Sequence, residues 1–174
     1  MSRPAAFLDR DGTLNPRPPL HHYLRSAAEF EWLPGAAEGA ARLARAGYAL
    51  AVVSNQRGLA RGLVDRTVLQ EIEERIQLQL SGHGCRVEAF RYCPHDLDDG
   101  CACRKPKPGM LLDLARELNL DLDQSWMIGD AEEDVLAGQA AGCRSVLLGA
   151  SPTQSRPDLV AGSLYEASEL IATR

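Results

Sequence analysis

Five short apolar runs alternate with helical patterns along this chain, and that alternation limits the folds open to it. The runs are Ala5–Leu8, Ala49–Val53, Val87–Tyr92, Trp126–Ile128 and Ser145–Leu148. Apolar spacing between them predicts helices. One begins after Pro34-Gly35 and stops at Gly47, a residue suited to the left-handed position that closes a helix. A second opens on Thr67-x-x-Gln70, a capping-box pattern, and carries Leu69, Ile72, Ile76 and Leu80. A third has Pro108 in its first turn, followed by Leu111, Leu114, Ala115 and Leu118. A fourth runs from Ala131 to Gly142, and Leu164–Ala172 is a weaker fifth. Strands alternating with helices predict a single Rossmann-like, three-layer α/β domain with a mainly parallel sheet covered on both faces. In such sheets ligands bind beyond the carboxyl ends of the strands. Asp9, Ser54 and Asp130 each fall at such an end.

With 174 residues, one domain over 1–174 with a sizeable core is expected. The intervals from Asp9 to Ser54 and from Ser54 to Lys105 are each filled by one helix with its strands and loops. No room remains for a separate cap domain, so specificity should come from short loops at 14–30, 55–62 and 93–107. A net charge of -5 and a pI of about 5.4 argue against a nucleic-acid-binding surface. The basic residues Arg57, Arg61, Arg104, Lys105 and Lys107 nevertheless gather beside the candidate motifs, which suits a small anionic molecule. The apolar run before Asp9 is too short for the core of a secretory signal, and no run approaches the ~20 residues of a membrane span. No membrane partner and a cytoplasmic location are therefore expected.

The first run breaks into Asp9-Arg10-Asp11-Gly12-Thr13. Two acids this close raise one another's pKa or recruit a metal. The spacing asks for a divalent cation, or for two carboxyls with different duties, one ionised and one protonatable. An ordinary polar turn would also accommodate it. Ser54-Asn55 ends the second run, where a hydroxyl and following amides can hold a phosphate oxygen; a simple turn explains the pair equally. Lys105 lies in Arg104-Lys105-Pro106-Lys107-Pro108-Gly109-Met110, where prolines restrict the backbone and could fix a positive charge. Alone it reads as a solvated lysine. Asp130 could be a helix N-cap, but Asp134 lies four residues on, on the same helical face. Paired carboxylates suit a cation held by oxygen and water, as Mg²⁺ is.

Taken in order, these motifs resemble the haloacid dehalogenase superfamily of aspartate-nucleophile phosphatases. The match runs from Asp9 to Asp134, with Asp9-x-Asp11-Gly12-Thr13 as first motif, Ser54 as second, Lys105 as third and Gly129-Asp130 with Asp134 as fourth. The resemblance implies that Asp9 attacks phosphorus and forms an aspartyl-phosphate. It implies that Asp11 protonates the leaving oxygen and then deprotonates water. It places Mg²⁺ on the Asp9 carboxylate, the Asp11 main-chain carbonyl and Asp130, with Asp134 orienting groups around it. Ser54 and Lys105 would hold the phosphate oxygens, and Gly12, Asn55, Gln56, Arg57 and Arg104 complete the substrate-binding set. Arg104 is the candidate for a second anionic group through bidentate contacts.

Cys93-Pro94-His95 and Cys101-Ala102-Cys103 supply three sulfurs and one imidazole within a short loop. That set suits a tetrahedral Zn²⁺ with every position filled by protein, hence a structural site. Cys85 and Cys143 fall outside it. Such a cluster just before Arg104-Lys105-Pro106 resembles the histidinol-phosphatase and heptose-bisphosphate-phosphatase branch of the superfamily, and the run Ser54–Gly62 resembles the heptose enzymes. The implied substrate is D-glycero-D-manno-heptose 1,7-bisphosphate, losing its 7-phosphate. Histidinol phosphate or another sugar phosphate is the alternative, and a non-catalytic phosphate-binding module is the alternative of another class. A monomer is expected. Two features depart from that branch. Arg57 stands where it has a small residue. Pro16–His22 replaces its short Asp- and Gly-containing loop, a segment that should touch the sugar. His21 and His22 read as surface residues.

Overall fold

Side chains along a strand point alternately to opposite faces, and a parallel sheet covered on both faces needs both faces apolar. The strands of this chain meet that demand. The computed structural model describes residues 2–149 and 151–173. Its strands are β1 (Ala5–Leu8), β2 (Ala49–Asn55), β3 (Val87–Cys93), β4 (Trp126–Gly129), β5 (Arg144–Leu148) and β6 (Leu159–Ala161). They form one sheet in the order β3-β2-β1-β4-β5-β6, with every pairing parallel. The helices are α1 (Ala36–Arg45), α2 (Arg66–Ser81), α3 (Gly109–Leu118), α4 (Glu132–Ala141) and α5 (Leu164–Ala172).

Ala6, Leu8, Leu50, Val52, Trp126 and Ile128 face the layer built from α1, α2 and α5. Their neighbours Ala5, Phe7, Ala49, Ala51, Val53 and Met127 face α3 and α4. The expected three-layer α/β domain is therefore present, and its sheet is wholly rather than mainly parallel. Among the described residues no helix is long and apolar enough to cross a membrane.

Several boundaries differ from the sequence reading. The second helix is capped by Asp65, whose carboxylate accepts from Val68 N at 3.1 Å. Thr67 therefore lies inside the first turn, because an aspartate placed to receive that amide displaces the capping box read two residues later. Pro108 precedes α3 rather than lying within it, and Ala131 rather than Asp130 is the residue before α4. Strand β6 escaped the reading. It has three residues, pairs with β5 alone, and leaves Val160 47% exposed, so it shows no alternation to detect.

Glu132, in the first turn of α4, gathers the loop after β5. Its carboxylate accepts from Thr153 Oγ1 at 2.9 Å, from Gln154 N at 3.1 Å, and from the amides of Thr153 and Ser155. Bonds from Ser155, then Thr153 and Gln154, hold this acid down at about 2. A carboxyl depressed on folding adds stability above its unfolded value, near 4.5, and loses it as pH falls toward 2. Amide-exchange protection at residues 153–155, corrected for intrinsic rates, should decline across that window. It should be lost at neutral pH in Glu132→Gln; unchanged protection in that variant would mean another contact orders the loop.

Candidate active site

Register brings three strand ends to one edge. Leu8 pairs with both Val52 and Ile128, so Asp9, Ser54 and Asp130 emerge together. Asp9 N donates to Ile128 O at 3.0 Å and closes the seam. The chain order also reverses here: β2 and β3 extend from one side of β1, and β4, β5 and β6 from the other. A crevice at such a point is where open α/β sheets bind ligands.

Two glycines make the crowding of acids possible. Gly12 has φ +96, and a Cβ there would lie 2.0 Å from Asp130 Oδ2. A Cβ on Gly129 would lie 2.1 Å from Asp134 Oδ2. Each glycine leaves the space its neighbouring carboxylate fills. Asp134 is fixed further by accepting from Ala131 N at 3.1 Å.

Lys105 sits at the centre. Its Nζ lies 2.8 Å from Asp9 Oδ1, 2.6 Å from Asp134 Oδ1 and 2.9 Å from Val53 O. An ammonium has three protons, and all three find acceptors. Lys105, Asp9 and Asp134 are buried. Burial alone would lower the Lys105 pKa, but Asp134 and Asp9 together raise it, so the lysine stays charged. Burial pushes Asp9 up to about 7 against the attraction of Lys105, and the Asp134 and Asp11 carboxylates push the same way. Asn55 fixes the lysine's backbone from both sides: its Nδ2 donates to Lys105 O at 3.1 Å, and its Oδ1 accepts from Lys105 N at 3.0 Å.

Asp11 is held apart from that cluster. Its carboxylate accepts from Arg10 Nε and Nη2 at 3.1 and 2.9 Å, from Asn15 Nδ2 at 3.0 Å and from Gln56 Nε2 at 3.0 Å. Gln56 also donates to Ser54 Oγ at 3.0 Å, leaving the serine's own O–H free to donate elsewhere. Asp130 is gripped by a residue the sequence reading gave no role. Arg17 Nε donates to Oδ2 at 2.8 Å and Nη2 to Oδ1 at 2.6 Å. Those hydrogen bonds are the main cause of a raised Arg17 pKa.

Asp9, Asp11, Ser54, Lys105 and Asp134 line one cavity of about 380 Å³, together with Asn55, Gln56, Arg57 and Arg104. On that wall Arg57 pairs with Asp96, and Arg104 Nη1 reaches His95 O at 3.4 Å. Gly12 and Asp130 border a neighbouring cavity of about 530 Å³, and Arg17 borders both. Gly12 N donates to Asn15 O at 2.7 Å, so this amide closes the turn and does not point into the cavity. His21 and His22 are exposed, as the sequence reading had them, and they stand on the rim of the first cavity. Arg10, Asn15 and Arg17 were not singled out. The proline-rich Pro16-Arg17-Pro18-Pro19 was the available signal for the last of them.

Two groups of side chains could hold metals. Oxygens of Asp9, Asp130 and Asp134 lie within 4.8 Å of one another. A buried acid forced as high as Asp9 is what a further cation would relieve. Cys93 Sγ lies 3.7 Å from Cys101 Sγ, 3.3 Å from Cys103 Sγ and 3.6 Å from His95 Nδ1, and His95 Nδ1 lies 3.2 Å from Cys103 Sγ. These spacings are close to the ~3.8 Å sulfur–sulfur edge of a tetrahedron with Zn–S bonds of ~2.3 Å.

The Hydrolase-like (HAD-hydrolase-like) family model matches residues 102–167. The chain is 40% identical over 148 residues to the D-glycero-beta-D-manno-heptose-1,7-bisphosphate 7-phosphatase of Pseudomonas aeruginosa, covering 85% of this chain and 82% of that one. It is 36% identical over 166 residues to the D-glycero-alpha-D-manno-heptose-1,7-bisphosphate 7-phosphatase of Mycobacterium tuberculosis, covering 92% and 87%. The crystal structure of the D,D-heptose 1,7-bisphosphate phosphatase from B. bronchiseptica, complexed with magnesium and phosphate, superposes with a TM-score of 0.88 at 34% identity and covers 98% of each chain.

Asn55→Ala would leave both the Lys105 amide and carbonyl without their partner. Unsatisfied buried backbone groups cost ~1–3 kcal/mol each. Urea unfolding should therefore show a stability loss of about 2 kcal/mol or more, whereas a loss below about 0.5 kcal/mol would mean that water or other groups replace the clamp.

Proposed function

The chain belongs to the heptose-bisphosphate 7-phosphatase family of haloacid-dehalogenase-like hydrolases, and on that premise we propose that it removes the 7-phosphate of D-glycero-D-manno-heptose 1,7-bisphosphate with the help of Mg²⁺. The observation that carries the reading is the buried Asp9–Lys105–Asp134 cluster at the sheet's switch point, beside Ser54 and Asp11. One fixed lysine faces two buried acids there. The remaining negative charge calls for a cation before an anionic phosphate can approach.

Asp9 is the nucleophile. Its free carboxylate oxygen bonds to phosphorus as the bond from phosphorus to the sugar oxygen breaks, giving an aspartyl-phosphate. Asp11, after taking up a proton from solvent, supplies it to the leaving sugar oxygen, then removes one from the water that attacks the same phosphorus. The Asp9–phosphorus bond breaks in that second step, and inorganic phosphate leaves. Ser54 donates to a phosphoryl oxygen where negative charge accumulates, and Lys105, its three protons held by Asp9, Asp134 and the Val53 carbonyl, lends its positive charge beside it. Asn55 keeps Lys105 in place for that task. Held by Asp9, Asp130 and the Asp11 carbonyl, Mg²⁺ would offset the repulsion between carboxylate and phosphate and keep Asp9 ionised.

Arg104 stands on the cavity wall as the candidate for the second phosphate, through a bidentate fork. Cys93, His95, Cys101 and Cys103 would hold a structural Zn²⁺ that fixes the loop leading to Arg104 and Lys105.

Asp9→Asn should lower kcat at least ~10³-fold, since it removes the group that bonds to phosphorus. Undiminished turnover would reject Asp9 as nucleophile. Across a panel of both heptose-bisphosphate anomers, histidinol phosphate and simple sugar phosphates, kcat/KM should be highest for a bisphosphate. A flat profile would reject the substrate while leaving the chemistry. Cys101→Ser should reduce bound zinc well below one equivalent by metal analysis and lower the thermal midpoint. A full equivalent of zinc with an unchanged midpoint would remove the zinc site.

A further inference from the structure

Asp130 has both carboxylate oxygens taken by one guanidinium, in the planar two-bond geometry that arginine forms with carboxylates. Lys105 is occupied by Asp9 and Asp134, so Arg17 is the cation that neutralises Asp130 among the described residues. We propose that Arg17 is a resident counter-ion of Asp130 which a divalent cation must displace, so that metal affinity is set in part by the 16–22 loop. The inference rests on the metal reading above and adds a residue to it.

The charge balance requires the exchange. Three carboxylates, Asp9, Asp130 and Asp134, face two protein cations, Lys105 and Arg17. A divalent ion beside Lys105 alone matches three negative charges. The same ion beside both protein cations would leave the pocket positive, with a guanidinium and a metal competing for one carboxylate at close range. Asp11 does not alter this balance, because Arg10 neutralises it separately.

The loop is built to offer the guanidinium and to release it. Pro16, Pro18 and Pro19 restrict the backbone on both sides of Arg17. The loop's root is tied by Asn15 Nδ2, which donates to Pro16 O at 2.8 Å. Release is therefore a swing of the side chain on a restrained backbone rather than refolding of the segment. The Arg17 side chain is 54% exposed, so leaving Asp130 moves it into water at little desolvation cost. It borders both cavities, and either gives it space.

The test compares Mg²⁺ binding by calorimetry in the wild-type protein, Arg17→Ala and Arg17→Lys, without substrate. Arg17→Ala should bind at least fivefold more tightly, with Arg17→Lys between it and the wild type. In the wild-type protein, the nitrogen-15 resonance of Arg17 Nε should move to its free, fast-exchanging position along the same Mg²⁺ titration. That readout needs neither a variant nor turnover. An Arg17→Ala affinity within twofold of wild type, or weaker than it, would overturn the proposal, as would an Arg17 resonance that stays in place at saturating Mg²⁺. If neither wild type nor Arg17→Ala binds Mg²⁺, the metal reading and this inference fail together. Binding that is equal in the two but lost in Asp130→Asn would sink this inference alone.

Discussion

A lysine ammonium buried between two carboxylates is the interaction on which the rest of this site depends. Removing a lone charge from water costs several kcal/mol, and breaking one side of a buried pair costs ~3–5 kcal/mol. Lys105 avoids that cost by giving its three protons to Asp9, Asp134 and the Val53 carbonyl. The arrangement needs four elements at once: Asp9 from the end of β1, Val53 from β2, Asp134 from α4, and the lysine from the segment before α3. It can exist only where a parallel sheet brings those ends to one edge. The ammonium also fixes which acid oxygens remain free. Asp9 gives Oδ1 to Lys105 and keeps Oδ2 clear of it.

Packing and electrostatics are joined at Gly12 and Gly129. Each lacks the Cβ that would collide with a carboxylate oxygen, at 2.0 and 2.1 Å respectively. Burial first, and then the nearby Asp134 and Asp11 carboxylates, push Asp9 up to about 7 despite Lys105. The glycines thus admit the crowding that makes a cation necessary. Stability and function pull in opposite directions here, as is common where a site is pre-formed for a charged ligand.

Much of this was legible in the sequence, for identifiable reasons. Alternating apolar runs and helical spacing report burial, so β1 to β5 and the buried stripe Leu69, Ile72, Ile76 and Leu80 could be read directly. The relation among Asp9, Ser54, Lys105 and Asp130 was readable because each stands at a strand end or a proline-limited turn. The Cys93, His95, Cys101 and Cys103 grouping was readable because its spacing is local. Pairings between distant segments were not. Nothing near Asn55 announces that its amide brackets the backbone of Lys105, fifty residues away. Nothing near Asp130 announces Arg17, 113 residues earlier. Such contacts depend on loop conformation, which neither periodicity nor local spacing encodes. The short β6 was lost for a related reason, since three residues at a sheet edge carry no pattern.

The division of labour follows from which parts are anchored. Asp9, Ser54, Lys105 and Asp130 lie at strand ends or on backbone fixed by hydrogen bonds, and a small displacement there would disturb the whole charge cluster. The walls farther out come from the 16–22 loop, Arg57 with its Asp96 partner, and Arg104 beside the cysteine cluster. Those walls can change residue by residue without touching Lys105. Arg57 and the Pro16–His22 segment, which the sequence reading set apart from the branch it resembles, both fall in that outer wall. The chemistry at phosphorus can therefore stay constant while the shape and charge offered to the rest of the substrate differ. Arg17 crosses the division: it belongs to the 16–22 loop of the outer wall, yet it grips the acid that follows β4.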